Sequence, residues 1–314
     1  MNELNVLVLE GGFNEEHEVS LSTGKEVKKS LTNLKIKHDS IIVSPKNFEE
    51  KIINYDPSIL CFNALHGTYG EDGKIQKILD KLSFKYTHSN SKASLIGFNK
   101  DLTIKNIKDT SILFPEYRII NYRDIKEKNL LDFLLDLGSF VIKPLTSGSS
   151  FGVRIFKNKE SIEIFIKDFE KNMNLYRNHN RLMVQKYVRG KELTVAVIEN
   201  NKKSRAVEVT EIISKSDFFD YKSKYTKGFA EHILPANIPK KIYEDCKLYA
   251  KLVHDKIKCR GISRSDFIYD NKNIYFLEIN TQPGLTKVSL VPEQLKYQEY
   301  SFDKIIKNII DCSL

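Results

Sequence analysis

The chain predicts an α/β fold with α+β elements, an open parallel-sheet unit followed by two units built on hairpins. Three observations carry this. Residues 5–9 are an apolar strand that runs into Gly11-Gly12 and then a helix-forming stretch. Further short strands alternate with helical patterns up to about residue 97, the layout of an open sheet whose ligands sit at strand ends. Beyond residue 130 the strands come in pairs joined by turn-rich loops, as hairpins do.

The 314 residues suffice for two or three domains sharing packed interfaces. A hydrophobic fraction of 41% and a charged fraction of 29% are those of a soluble globular protein. No run of 18 apolar residues suggests a membrane span, and the opening MNELNVLVLEGG lacks the basic region and cleavage site of a signal peptide. Cys61, Cys246, Cys259 and Cys312 form no C-x-x-C and read as reduced thiols in a cytosol. The net charge of +9 brings nucleic-acid binding into consideration. Against it, the lysines are spread among acids, as at 46–51 and 157–163, with no basic block. That charge reads as solvated surface, with part of it lining an anionic-nucleotide cleft.

In order along the chain, the first unit is 1–97. It holds strands at 5–9, 38–44 and 58–63 and helices at 20–34 and 73–82. In the second of these helices Ile75, Ile78, Leu79 and Leu82 form one stripe. The second unit, 98–184, has strands at 140–144 and 152–156 around the small-residue loop 146–150, then a helix at 159–171 and a strand at 182–188. The third, 185–314, opens with a hairpin, 192–198 and 205–212, turning at Asn200-Asn201. Residues 214–235 read as a loop, a long helix covers 239–259, and a terminal helix covers 302–310. A loop of that length in a compact domain is a lid or a disordered segment.

The most informative chemistry is in GISRSDFIYD and IYFLEIN, two strands joined by Asp270-Asn271-Lys272-Asn273. Side chains alternate along a strand, so Arg264 shares a face with Asp266, and Glu278 with Asn280. If Asp270 pairs with Ile274, Asp266 stands opposite Glu278. Three oxygen donors then converge beside an arginine, a set that suits Mg²⁺ bridging to nucleotide phosphates. A wet amphipathic hairpin would look the same at any one of these positions. The loop Thr146-Ser147-Gly148-Ser149-Ser150 lies between strands, so it is no P-loop; it is either a hairpin tip or a flap folding over phosphates. Lys143, on an apolar strand, wants an anion nearby. Glu18 is either a helix-start acid facing the dipole or a ligand-binding carboxylate. His66 ends the third strand, in a structural or a tuning role.

Taken together, LVLEGGFNEEHEVS, FNALHGTYGEDGKIQ, FVIKPLTSGSSFGV and the run from FLEIN to SLVPEQ stand in the order found in one family. The chain resembles the D-alanine–D-alanine ligases of the ATP-grasp superfamily over nearly its whole length. The resemblance implies an ATP-grasp fold behind an N-terminal parallel-sheet domain. It implies joining of two D-alanines through an acyl phosphate, with ATP and two Mg²⁺ or Mn²⁺ ions, for peptidoglycan precursors. It gives Lys100 and Lys143 to the nucleotide phosphates, with Ser149 in the loop over them. Gln185, Lys186, Tyr187 and Val188 flank adenine, and Glu192 holds the ribose. The ions go to Asp266, Glu278 and Asn280. Glu18 binds the first D-alanine's ammonium group and is linked to Ser149 and Tyr225, with His66 nearby. Lys224 reaches the transferred phosphate, and Arg264 and Gly284 stabilise the tetrahedral adduct. Ser289 and Leu290 grip the second carboxylate. The family usually has glutamate where Gln185 stands, an acid at Ser147, and in some members histidine at Val288.

The same resemblance implies a cytoplasmic homodimer acting on D-alanine and ATP, with no nucleic-acid or membrane partner. Two other readings stay open on the sequence: an ATP-grasp ligase for a different carboxylate, and a basic nucleic-acid binder on a degenerate ligase fold.

Overall fold

In the computed structural model, residues 4–148, 151–214 and 230–314 are described. They form three sheets. The first is wholly parallel, in the order β2-β1-β3-β4, from β1 (Asn5–Gly11), β2 (Lys37–Val43), β3 (Leu60–Asn63) and β4 (Lys85–Tyr86). Val6, Leu7, Val8 and Leu9 are all fully buried, as in parallel sheets covered on both faces. Val6, Val8 and Phe62 face one core; Leu7, Leu9 and Cys61 face the other.

The second sheet is antiparallel, β5-β8-β6-β7, from β5 (Tyr117–Asn121), β6 (Phe140–Pro144), β7 (Arg154–Phe156) and β8 (Arg181–Lys186). Phe140 and Phe156 stack at 4.9 Å in its core. The expected helix 159–171 breaks at Asp168 into Lys159–Lys167 and Phe169–Met173.

The third sheet, β11-β10-β9-β12-β13, is also antiparallel. Its strands are β9 (Lys191–Asn200), β10 (Lys203–Ser214), β11 (Ala230–Ile233), β12 (Ile262–Tyr269) and β13 (Ile274–Asn280). Asn201 and Lys202 both have positive φ, the primed two-residue turn that suits hairpin twist, one residue later than expected. β11 falls inside the stretch read as a loop, where Ile212 pairs with His232. Residues 215–229, with Lys224 and Tyr225, lie outside the described residues, as do Ser149 and Ser150.

The two faces of the third sheet differ. Leu193, Val195, Val197 and Val209 pack under the helix Lys240–Ile257. On the opposite face Ala196, Ile198, Val207 and Ile262 join the core of the N-terminal sheet and the C-terminal helix Phe302–Asp311. Two helices the sequence reading passed over, Ser91–Phe98 and Lys100–Ile107, contribute Ala93 and Ile107 to the third sheet's core, and the expected boundary at 97/98 falls inside the last turn of the first. Each is capped by an asparagine, Asn90 and Asn99, whose side-chain oxygen accepts a backbone N–H.

The β12–β13 hairpin carries one correction of register. Tyr269, not Asp270, pairs with Ile274, so the loop is one residue longer than expected. Leu277 then bulges out of the ladder, and Asp266 meets Glu278 after all. Ile274 and Phe276 face the core, whereas Glu278 and Asn280 face away from it, because the extra residue inverts the alternation. The double substitution Glu278→Ile, Ile279→Glu should turn the carboxylate toward the apolar core, since beyond the bulge position 278 faces out and position 279 faces in. An unpaired buried charge costs about 3–5 kcal/mol. Urea denaturation should show that loss, and an unchanged midpoint would refute the bulge's role in aiming Glu278.

Candidate active site

The polar end of the third sheet faces the second sheet across a cavity. One row of the ladder runs Glu278–Asp266–Thr194–Thr210, and the next runs Ile268–Glu192–Ile212–His232. Opposite them stand Val141, Lys143, Gln185, Lys186, Tyr187 and Val188, and the cavity closes on Gly284, Ser289 and Leu290. A smaller cavity adjoins it, lined by Glu16, His66, Glu71, Gly148 and Asn280. The two share Lys100, Ser147, Arg264, Glu278 and Gly284, so that group lies at their junction.

At the junction Arg264 donates to both oxygens of Asp266, at 3.0 and 2.9 Å, and Thr194 Oγ1 donates to Asp266 Oδ1 at 2.6 Å. Lys100 Nζ lies 3.1 Å from Glu278 Oε2 and donates to the Ser147 carbonyl at 2.9 Å. Asn280 Oδ1 accepts from the Gln282 N–H. Lys143 is buried, and burial, aided by the Lys100 charge, pushes its ammonium down to about 8 against the pull of Glu278.

The first helix, His17–Asn33, begins after a loop held from several sides. Gly11 N donates to Ser20 Oγ, which donates to the Ala64 carbonyl. Asn14 Nδ2 donates to the carbonyls of His66 and Thr68. This geometry corrects one expectation: Glu18 is exposed and lines neither cavity, whereas Glu16 lines the smaller one. The Glu16 carboxylate lies against Gly67 and Gly148. A Cβ at Gly67, where φ is +68°, would overlap it, and one at Gly148 would come within 3.0 Å. Both acids stood in NEEHEVS, but only the position before the helix points inward. His66 is buried, 2.8 Å from Thr23 Oγ1 and 3.2 Å from Glu71 Oε1; burial raises the Glu71 carboxyl.

Of the adenine-flanking set, Lys186 N and Tyr187 N donate to the carbonyls of Glu116 and Ser139, and the buried Gln185 amide turns to the Pro115 carbonyl at 3.5 Å. Ser289 precedes the helix Leu290–Tyr297 but does not cap it; its hydroxyl lies 2.8 Å from Thr286 Oγ1 and accepts Thr286 N–H at 3.0 Å. The sequence reading missed Thr194, Gln282 and Glu71. A threonine or glutamine in a strand or loop carries no signal until its partner is known.

An elongated cavity between two antiparallel sheets, with lysines on one wall and paired carboxylates on the other, defines the ATP-grasp class. The family model described as "D-ala D-ala ligase C-terminus" matches residues 107–311. The D-alanine–D-alanine ligase of Wolbachia sp. subsp. Drosophila simulans (strain wRi) is 40% identical, covering 98% of this chain and 93% of its own. That of Pelagibacter ubique is 36% identical, covering 98% of each. The Bacillus anthracis D-alanine–D-alanine ligase complexed with ATP superposes with a TM-score of 0.80 at 26% identity, over 100% of this chain and 97% of that one. The chain belongs to the D-alanine–D-alanine ligase family.

A phosphate bound beside Lys143 would bind with a pH-dependent affinity. With its ammonium held near 8, a phosphate entering above that pH must draw a proton onto the lysine, so affinity falls as pH rises from about 7 to 9.5. Titration calorimetry of ATP at pH 9, in buffers of different ionisation enthalpy, should show proton uptake. Lys143→Met should bind more weakly and lose most of that uptake; an unaltered proton count would remove Lys143 from the phosphate site.

Proposed function

We propose that the protein joins two molecules of D-alanine into D-alanyl-D-alanine at the expense of ATP, for peptidoglycan precursor synthesis. The observation that carries this reading is the junction of the two cavities at Lys100, Arg264, Glu278 and Gly284. A nucleotide-sized space and an amino-acid-sized space meet where phosphate charge would be neutralised.

A carboxylate is a poor electrophile and must be activated. A carboxylate oxygen of the first D-alanine attacks the γ-phosphorus, the bond to ADP breaks, and an acyl phosphate forms. The amine of the second D-alanine then adds to the carbonyl, loses a proton, and the tetrahedral adduct expels phosphate. Lys100 and Lys143 face the phosphates, with Lys224 assigned the same task from the sequence. Arg264 and the Gly284 N–H face the oxyanion. Glu16, in place of Glu18, takes the ammonium group of the first D-alanine, with His66 behind it and Ser149 and Tyr225 as its sequence-assigned partners. Ser289 and the N-terminus of the helix Leu290–Tyr297 take the second carboxylate. Gln185, Lys186, Tyr187 and Val188 flank adenine, and Glu192 the ribose. With the Lys186 and Tyr187 N–H groups already bonded, the adenine edge falls to other backbone groups of that segment.

The donor chemistry fits Mg²⁺ or Mn²⁺. Asp266 and Glu278 face each other and Asn280 adds an amide oxygen, although among the described residues no three His, Cys, Asp or Glu side chains form a metal cluster. These residues would hold two ions, which supply charge neutralisation between the phosphates. We further propose the units 1–97, 98–184 and 185–314, a homodimer, and a cytoplasmic setting without nucleic-acid or membrane partners. Four free thiols support the setting, and no helix among the described residues is long and apolar enough to cross a membrane.

The test is phosphate release from ATP with D-alanine, L-alanine or D-lactate, with the product identified by mass. Dipeptide from D-alanine alone is expected; release only with another acceptor would overturn the substrate. Glu278→Gln should lower turnover by about 10²–10³-fold with the fold intact. Glu16→Gln should raise the KM of the first D-alanine by about 10- to 100-fold, the worth of a charged hydrogen bond. Glu18→Gln should leave it unchanged, and the opposite pattern would restore Glu18 to the site.

A further inference from the structure

The helix Leu290–Tyr297 packs on the face of the third sheet opposite the helix Lys240–Ile257, beside a break in its ladder. Between Ala206 and Val209 the β10 register shifts, so Val207 and Glu208 together oppose Ala196 of β9. A bulge leaves ladder groups without their usual partners. Two glutamines one helical turn apart supply them. Gln294 Oε1 accepts the Ala196 N–H at 2.9 Å, while its Nε2 donates to the Thr194 carbonyl and to Thr210 Oγ1, each at 3.0 Å. Gln298 Nε2 donates to the Val207 carbonyl at 3.0 Å and to Glu208 at 2.8 Å. Gln294 is completely buried, and three of its four hydrogen-bonding sites are filled.

Thr194 continues the chain of contacts, since its hydroxyl donates to Asp266 at 2.6 Å. Two residues, Gln294 and Thr194, thus connect the helix that follows Ser289 to the strand that carries Asp266. We propose that Gln294 is a positioning residue, setting the second-substrate helix against β9 and β10, and through Thr194 against the strand of Asp266, so that the attacking amine stands at a fixed distance from the activated carbonyl. This rests on the reading of Ser289 and Leu290 as the grip on the second carboxylate. An apolar residue of the same size would fill the space equally well but would bond neither β9 nor β10, leaving helix and sheet free to slide. A displacement of about 1 Å at such a site can cost up to about 100-fold in rate.

The experiment measures separate KM values for ATP, the first D-alanine and the second D-alanine on Gln294→Leu, with Ser289→Ala in parallel. Gln294→Leu should raise the KM of the second D-alanine by about tenfold, with the other two within about twofold. A change equal in all three, or none, while Ser289→Ala raises the second-site KM, would make Gln294 merely structural and overturn the proposal. If Ser289→Ala leaves that KM unchanged, the carboxylate grip itself fails, and the proposal with it. Should Gln294→Leu fold poorly, Thr210→Val removes one of the same bonds isosterically; it should raise only the second-site KM, by about threefold, and a uniform effect would again overturn the assignment.

Discussion

The bulge at Leu277 is the constraint on which the site depends. It lets β13 present Phe276 to the core and Glu278 to the cavity only two residues later, and so sets Glu278 across from Asp266. Like charges directly opposite on neighbouring strands repel. The arrangement persists because each carboxylate meets a cation: Arg264 grips Asp266 with two bonds, and Lys100 reaches Glu278. Lys100 in turn bonds the Ser147 carbonyl, which ties the β6–β7 connection to the hairpin. The carboxylate pair, the lysine helix and the glycine-containing loop therefore form one electrostatic unit.

The N-terminal sheet is bound to both ends of that hairpin. Before β12, Arg260 donates to the carbonyls of Tyr86 and His88 at 2.6 and 2.7 Å. After β13, Gln282 accepts from Asn63 and donates to the Leu65 carbonyl. These bonds are costly to leave unmade, so the loops bearing Glu16 and His66 are referenced to the β12–β13 hairpin. A cavity assembled from distant segments keeps its geometry because polar groups at its rim have partners in the neighbouring unit.

Much of this was legible before any coordinates. Apolar runs and alternation place β1, β6, β9 and β12 within a residue or two, and Asp266 opposite Glu278 follows from an expected register whose one-residue error the bulge cancels. Legibility ends where a local signal has two equivalent readings. Glu16 and Glu18 both precede Val19-Ser20, and the choice is made by Asn14, which bonds carbonyls more than 50 residues away. β11 looked like loop because four residues between polar stretches show no period of their own; their strand exists through β10. Gln294 carried no signal beyond its place in SLVPEQ, since the bulge that needs it lies 85 or more residues earlier.

Charge balance explains why Lys143 titrates low. Arg264, Lys100 and Lys143 set three cations against the carboxylates of Asp266 and Glu278. Arg264 and Lys100 sit directly on those carboxylates. Lys143 is the excess charge, buried on β6 beside Lys100 with only a distant share of Glu278, and burial drives it toward its neutral form. A site with this imbalance favours a ligand carrying more negative charge than one carboxylate can offer. Phosphate oxygens arriving between Lys100 and Lys143 would let Lys143 recover its proton and relieve the repulsion between the two ammonium groups. The low value at Lys143 is therefore a property of the cavity before it meets phosphate, and the arrangement prefers a polyphosphate to a lone amino acid on that side of the junction.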